Sequence, residues 1–301
     1  MNKSMLYLVV LLTAVTMVSS SFAAEAKKVG TSPMTKCEFD SAAPSDSFDI
    51  VIANGRVMDP ECNFDGVRNV GIKGNRIAVI TKGALKGTRT IDAKNHVVAP
   101  GFINNHNHTY APFAQKIMAH DGTTTLLDTE SGSSSPRLFY DKYKDNSMLN
   151  YGAFVGHEPA RDIVLDGLTA EDTFDSTNVL LMRGKAAADG RNQWALDVPT
   201  PEQHEKILTI IENGLREGAI GVGSNVGYMG YGTPTYEMYD LQKMAKKYGR
   251  MFAAHTRFGP TETLPIDFSL GFREVLANAV TLDGGLVLSH IHGSGWEEVY
   301  E

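Results

Sequence analysis

The chain has 301 residues, of which 42% are hydrophobic and 21% charged, a composition typical of a globular protein with a sizeable core. The formal net charge is −7. The sequence also contains no block of lysine and arginine, which argues against a nucleic-acid-binding protein, since such a protein needs a basic face.

Residues 1–24 have the pattern of a secretory signal peptide. Lys3 gives a positive start, residues 5–18 form an apolar run, and small residues precede a cleavage point after Ala23 or Ala24. The alternative, a membrane anchor, is disfavoured because the run is shorter than the ~20 residues that a spanning helix needs. We therefore expect an exported protein, in the periplasm of a bacterium.

Export permits a disulfide between Cys37 and Cys62, the only two cysteines, although the sequence does not show that they meet. Residues 25–47 are polar and predict a flexible arm. Residues 48–100 then contain short β-like runs, with hairpin signals at Asn54-Gly55 and Gly74-Asn75. They predict a small all-β domain.

From residue 101 onward, short apolar runs alternate with helical patterns. The clearest helix start is Thr200-Pro201, where a threonine cap, a first-turn proline and Gln203 form a capping box. The alternation predicts a parallel sheet, either doubly wound or closed as a (β/α) barrel. No glycine-rich dinucleotide fingerprint follows the first strand, which disfavours the doubly wound option. Residues 187–200 predict a long loop.

Potential metal ligands stand at or near the carboxyl ends of predicted strands. In a parallel barrel these ends face one mouth, so distant residues can converge there. Imidazole and carboxylate side chains are typical zinc ligands. Taken singly, each could instead be an exposed carboxylate, a loop histidine or a donor to the backbone. The candidates are His106, His108, Glu130, His255 and His290.

Several motifs together resemble the amidohydrolase superfamily, in its N-acyl-D-amino-acid deacylase and D-hydantoinase-like branch. They are APGFINNHNH, DGTTTLLDTE, NYGAFVGHEPAR, EGAIGVG, AHTR and LSHIHGSG. The resemblance covers residues 48–301. It implies an α/β fold with a (β/α)8 TIM-type barrel over residues 101–301, incomplete here with about six strands. It also implies a small β-sandwich domain, likewise incomplete, over residues 48–100.

The resemblance also implies roles for the candidate ligands. His106 and His108 match ligands on the first barrel strand, and His255 and His290 match those on the fifth and sixth, for one or two zinc ions. Glu130 matches the bridging carboxylate, while Ser131 takes the place where some relatives have a bridging cysteine.

On the substrate side, Tyr228 resembles a tyrosine that helps to hold the scissile carbonyl. A packed loop aromatic is the alternative. Arg257 and Arg161 are candidate partners for a substrate carboxylate, because a guanidinium fork suits one. Salt bridges are the alternative for both.

Two departures from the family pattern stand out. Asn104 replaces a common aspartate, which predicts weaker metal binding. The sequence also stops after the sixth predicted strand, before the family's last strands and the acid/base aspartate on the final one. We therefore expect an N-terminal fragment that is inactive by itself.

The predicted reaction is hydrolysis of a non-peptide amide bond in N-acyl-D-amino acids by a zinc-bound hydroxide. One alternative is D-hydantoinase or dipeptidase-like hydrolysis of cyclic amides or peptides, and another is a non-catalytic metal-binding periplasmic protein. The expected partner is a small-molecule substrate, without nucleic acid and without a stable membrane anchor after signal cleavage.

Overall fold

The structure is a computed structural model that describes residues 46–258 and 265–291. The predicted signal peptide, nearly all of the predicted arm, and Cys37 lie outside these residues. Cys62 is disulfide-bonded. Among the described helices, none has the length and apolarity needed to cross a membrane. The described residues divide into two compact units, 46–101 and 102–291.

The first unit is one five-stranded sheet in its described part, in the order β3-β2-β1-β4 with β5 beside β1. Strand β1 is antiparallel to β2 but parallel to β4 and β5. Phe48, Val51 and Val79 form its buried core. The strands are β1 (Ser47–Asp59), β2 (Phe64–Lys73), β3 (Arg76–Thr81), β4 (Lys86–Asp92) and β5 (Val97–Val98).

The turn at Gly74-Asn75 is confirmed, since Gly74 has a positive φ of 58° between β2 and β3. The hairpin predicted at Asn54-Gly55 is wrong, because β1 continues through both residues with a shift in register. Asn54 lies at this bulge with a positive φ of 63°. Its backbone N–H donates to Asn69 Oδ1, and its side-chain amide donates to Asp92. The same Asn-Gly pair thus serves a β-bulge instead of a turn.

The second unit contains a six-stranded parallel sheet whose strand order follows the chain. This confirms the barrel-type prediction of about six parallel strands. The first strand is only three residues long, so His106 and His108 follow it instead of lying in it. The strands are β6 (Phe102–Asn104), β7 (Thr123–Ser133), β8 (Asn150–Gly156), β9 (Gly221–Ser224), β10 (Met251–Ala254) and β11 (Gly285–Leu288).

Helices connect the parallel strands. The capping box of Thr200 and Gln203 is confirmed at the start of α7, and the helix ends just before Gly218, which has φ 111°. The loop predicted at 187–200 is partly wrong, because it includes a helical turn, and α5 was not predicted. The helices are α1 (Pro112–His120), α2 (Pro136–Tyr143), α3 (His157–Leu165), α4 (Ala170–Thr173), α5 (Ser176–Ala188), α6 (Gln193–Leu196), α7 (Pro201–Arg216), α8 (Thr235–Lys247) and α9 (Pro265–Leu282).

The main core of this unit lies between the sheet and its helices. Ile207, Ile211 and Leu215 are spaced along one face of α7, and Leu241 of α8 and Phe252 of β10 belong to the same buried cluster. Because the six strands are parallel, their carboxyl ends lie along one edge of the sheet, and the candidate ligands lie at or just beyond these ends.

Candidate metal centre

All five candidate ligands come together at the carboxyl edge of the parallel sheet. Two overlapping groups share Glu130, and within each group the ligand atoms lie within 4.8 Å of one another. One group adds His106 and His108 to Glu130, and the other adds His255 and His290. Residues that span 185 positions of sequence therefore surround one carboxylate, as the strand-end pattern predicts.

The spacing of the donor atoms suits a divalent cation. Glu130 Oε2 lies 3.2 Å from His106 Nε2 and 3.0 Å from His290 Nε2. His106 Nε2 and His108 Nε2 are 3.2 Å apart. Two ligands at ~2.1 Å from a tetrahedral zinc ion stand about 3.4 Å apart, so these separations are close to those of a zinc site.

Glu130 also provides an independent test of fit. Its side chain is buried, and Oε2 has no hydrogen-bond donor among the described residues. Burial alone would raise the pKa of this carboxyl, but the hydrogen bond from His255 and the neighbouring imidazoles lower it to about 2. A buried, ionised oxygen without a hydrogen bond, surrounded by imidazole nitrogens, is what a cation would satisfy. The residues fit one or two zinc ions.

Asp128 orients one of the imidazoles and was missed at the sequence level. Its carboxylate lies 3.4 Å from His108 Nδ1 and accepts the backbone N–H groups of Glu130 and Gly132. If Nδ1 carries the proton toward Asp128, His108 Nε2 presents its lone pair to the centre. The spacing Asp-x-Glu in the motif LLDTE was the available signal.

Asn104, which stands where the family commonly has aspartate, contacts the backbone that leads to the two histidines. Its side-chain oxygen accepts the backbone N–H of His106 at 3.1 Å. Asn104 therefore helps to shape the turn that carries both histidines. The predicted loss of metal affinity remains a prediction.

The position of Glu130 depends on a close approach between β7 and β9. An added Cβ at Gly223 would stand 2.5 Å from the Glu130 carbonyl oxygen and 2.6 Å from that of Thr129. Only glycine allows this approach. His290 has a positive φ of 56°, which is unusual for a non-glycine residue and is often found at functional sites.

Tyr228 borders the cluster, as the resemblance implies. It ends a 3-10 turn after β9, and its ring centroid is 4.7 Å from that of His255. The side chain is half exposed. Partial burial and the Glu130 charge raise the pKa of Tyr228, so its hydroxyl stays a hydrogen-bond donor at neutral pH.

Arg161 does not fit the substrate role that was predicted for it. It is completely buried, and all five of its N–H groups are used within the protein. It makes a bidentate-type pair with Glu237 and bonds to backbone oxygens of Trp194, Asp197 and Gly232. The predicted substrate role is therefore corrected to a structural one, and the salt-bridge alternative is the one observed.

Arg257 is placed similarly. Its Nε and Nη2 donate to Glu274 at 2.7 and 3.2 Å, and Nη1 donates to the Gly230 carbonyl. The fork that would recognise a carboxylate already holds Glu274. A substrate role for Arg257 stays a prediction, but the structure shows a nearly buried ion pair.

A second buried network was missed at the sequence level. Glu158 at the start of α3 is fully buried and pairs with Arg183 of α5, while Asn225 donates to the same carboxylate. Arg183 also lies against the ring of Tyr228. Nothing in the spacing of these residues indicates that they meet, because Glu158 and Arg183 lie on different helices of the β8–β9 connection and Asn225 follows β9.

No protein-family model matches the chain. Two curated relatives from Alcaligenes xylosoxydans xylosoxydans are similar in sequence. A D-aminoacylase is 28% identical over 229 residues, which cover 72% of this chain and 46% of the relative. An N-acyl-D-glutamate deacylase is 26% identical over 281 residues, which cover 81% of this chain and 50% of the relative. The chain thus spans about half the length of these relatives.

Solved structures share the fold at low identity. A D-aminoacylase crystal structure, described as defining a novel subset of amidohydrolases, has a TM-score of 0.63 at 19% identity over 81% of this chain and 51% of its own. A second structure is that of N-acyl-D-glutamate deacylase from Bordetella bronchiseptica, complexed with zinc and a phosphonate inhibitor. It also has a TM-score of 0.63 at 19% identity, over 80% of this chain and 51% of its own.

A D-hydantoinase structure has a TM-score of 0.52 at 21% identity, over 80% of this chain and 51% of its own. The relatives and the fold neighbours therefore agree. The predicted resemblance to the amidohydrolase superfamily, and within it to D-aminoacylase, N-acyl-D-glutamate deacylase and D-hydantoinase, is confirmed.

Proposed function

We propose that this chain carries the metal centre of a zinc-dependent hydrolase that cleaves the amide bond of N-acyl-D-amino acids. The observation that carries the proposal is the convergence of four imidazoles on the buried Glu130 carboxylate. Zinc, when bound, would supply Lewis-acid chemistry and lower the pKa of water to about 7. His106, His108, Glu130, His255 and His290 would hold one or two ions.

The surrounding residues prepare this site. Asp128 fixes His108, and Glu130 remains ionised because its pKa is about 2. The Tyr228 hydroxyl, protonated at neutral pH, can donate a hydrogen bond to the oxygen of a scissile carbonyl beside His255. A donor aimed at the oxygen on which charge develops favours the transition state over the ground state.

The substrate class is supported by the two sequence relatives, which are a D-aminoacylase and an N-acyl-D-glutamate deacylase. A cyclic amide is the second candidate, because the parallel sheet also resembles that of D-hydantoinase. The site accommodates either chemistry, since both reactions break an amide C–N bond. Substrate assays must separate them.

The protein is also proposed to be exported to the periplasm. The apolar run and small residues of 1–24 support a signal peptide, and the disulfide at Cys62 is typical of an oxidising compartment. Amino-terminal sequencing of the protein from its source tests this. A chain that retains Met1 in the cytosol would contradict it.

The test of function uses protein expressed from its complete gene. Metal content and hydrolysis of N-acetyl-D-leucine, its L-enantiomer and a 5-substituted hydantoin are measured with added zinc. We expect zinc-dependent release of acetate from the D-compound. Preferential opening of the hydantoin would favour the second candidate, and zinc binding without hydrolysis of any compound would contradict both.

Matched variants separate the centre from general effects on folding. Glu130→Gln and His255→Asn should lose zinc and activity. Glu205→Gln, on the exposed face of α7, and His96→Asn, in the first unit, should retain both. Normal zinc binding by Glu130→Gln would exclude the proposed centre.

A further inference from the structure

Arg183 is held beside the metal centre in a fixed orientation. It belongs to α5, and its Nε and Nη2 donate to the two oxygens of Glu158 at 2.9 and 2.6 Å. Glu158 is completely buried and also accepts a hydrogen bond from Asn225. The guanidinium group is therefore anchored from its buried side, which reduces the entropy that it would lose on binding a ligand.

Two aromatic rings flank the same guanidinium group. Its central carbon lies 4.6 Å from the centroid of the Tyr228 ring and 5.2 Å from that of Trp194. Both distances fall in the range of cation–π contacts. Tyr228 in turn lies against His255, so Arg183 and a candidate metal ligand contact the same ring.

The free edge of Arg183 is suited to a second carboxylate. A guanidinium group can bind one carboxylate through Nε and Nη2 and another through its Nη1 and Nη2 end. Glu158 takes the first position. Among the described residues, the hydrogen bonds of Arg183 to Glu158 use Nε and Nη2 and none uses Nη1, and a quarter of the side chain is exposed to solvent.

The other arginines near the site are not available in this way. Arg161 is fully buried with every N–H satisfied, and the fork of Arg257 holds Glu274. Arg183 is the one of these three that combines partial exposure with an unused donor group. It also lies on the connection between β8 and β9, part of which was predicted to be a loop.

The dimensions suit an N-acyl amino acid. Its α-carboxylate is three bonds from the acyl carbonyl carbon, a distance of about 4 Å at bond lengths of ~1.5 Å. An acidic side chain would place a second carboxylate further away. A substrate with its carbonyl carbon near Tyr228 therefore has its α-carboxylate within about 4 Å of that carbon, and Arg183 contacts the same ring.

We propose that Arg183, braced by Glu158 and flanked by Trp194 and Tyr228, is the subsite that binds the carboxylate of the substrate. The identity of the substrate in this inference rests on the proposed function. Recognition of a carboxylate by Arg183 does not require that the bond is cleaved.

The experiment compares the wild-type protein with Arg183→Met. Its readouts are hydrolysis and, by calorimetry, the binding of N-acetyl-D-leucine, N-acetyl-D-glutamate and N-acetyl-D-leucinamide. We expect the variant to raise KM and Kd for N-acetyl-D-leucine by about 10- to 100-fold, as for loss of a charged hydrogen bond, with little change in kcat. The amide, which lacks the carboxylate, should be unaffected.

The two acids distinguish the source of the carboxylate. Equal losses for the leucine and glutamate compounds assign Arg183 to the α-carboxylate, whereas a loss confined to the glutamate compound assigns it to an acidic side chain. Equal losses for acid and amide, or no loss at all, would overturn the proposal.

Controls address folding and the proposed activity separately. Arg183→Met leaves Glu158 buried without its partner, so the double variant Glu158→Gln/Arg183→Met is measured beside it, with thermal melting of both. Arg191→Met removes a neighbouring, partly exposed arginine and should change neither KM nor Kd. If no protein hydrolyses these compounds but the wild type binds the acids through Arg183, the subsite stands while the proposed function fails.

Discussion

At the scale of single residues, Arg161 shows how burial decides a role. Its guanidinium group meets Glu237 and three backbone oxygens without solvent contact. Lysine would keep the charge but could not form this planar set of five hydrogen bonds. We predict that Arg161→Lys lowers the free energy of unfolding by about 2–4 kcal/mol, because buried acceptors lose their donors. Urea denaturation measures this change.

The same variant also separates a structural role from substrate binding. KM for an N-acyl amino acid should stay within about twofold of the wild-type value, since no N–H of Arg161 reaches the site. Arg216→Lys, at an exposed position of α7, serves as the control and should change stability by less than about 0.5 kcal/mol. A raised KM with unchanged stability would restore the original interpretation of Arg161.

The candidate metal ligands could be predicted from the sequence because the common direction of the parallel strands is enough to bring them together. Four of the candidate ligands follow parallel strands and Glu130 lies near the carboxyl end of one, so their convergence required only strand ends to be recognised. The partner of Arg161 could not be recognised, because Glu237 is 76 positions away and on another helix. Arg183 was missed for the same reason, as Glu158 precedes it by 25 positions across several turns.

At the scale of elements, the close approach of β9 to β7, which β8 separates in the sheet, requires glycine at position 223. A methyl group there would stand 2.5 Å from the Glu130 carbonyl oxygen, which is closer than van der Waals contact permits. We predict that Gly223→Ala displaces β7 and weakens zinc binding at least tenfold, in addition to lowering stability. Zinc titration and thermal melting measure the two effects.

Gly184→Ala is the matched control for this glycine substitution. Gly184 lies within α5, and an added Cβ would meet nothing within 4 Å. Alanine there should stabilise the protein by about 0.5–1 kcal/mol through its better helix propensity. Unchanged zinc affinity in Gly223→Ala would show that the close approach does not position Glu130.

Helix α7 permits a test of the capping prediction itself. The Thr200 hydroxyl accepts the backbone N–H of Gln203, and the Gln203 side chain accepts that of Thr200. Thr200→Ala should cost about 1 kcal/mol in chemical denaturation. Thr209→Ala, on the exposed face of the same helix, should be neutral or slightly stabilising, and equal effects of the two would contradict the capping role.

Local sequence signals predicted elements well where local chemistry was decisive. The capping box fixed the first residue of α7, and Gly74 fixed a turn. Asn54-Gly55 was misread because a bulge and a turn both need a residue with positive φ, and only Asn69 and Asp92, distant in sequence, select the bulge.

At the scale of the whole molecule, the candidate metal centre joins the ends of four strands. One ligand group joins β6 to β7 and the other joins β7 to β10 and β11, and Glu130 of β7 belongs to both, so occupation of both groups would connect the two edges of the described sheet. An ion that binds only the folded chain adds to its stability by mass action. The fold class was predictable because alternating strands and helices permit few topologies. The stabilisation that a bound ion gives the folded chain was not predictable from the sequence.

Zinc should therefore stabilise the folded protein, and chelation should reverse the effect. At free zinc ~1,000-fold above Kd, the gain is about 4 kcal/mol, and each kcal/mol corresponds to about 2–4 °C in Tm for a chain of this size. Imidazoles bind metal only when deprotonated, so the gain should shrink as pH falls below about 6. Calorimetry with zinc or EDTA at pH 7.5 and pH 5 measures both effects. Glu130→Gln should show neither, and an equal zinc shift in that variant would place the stabilising ion elsewhere in the protein.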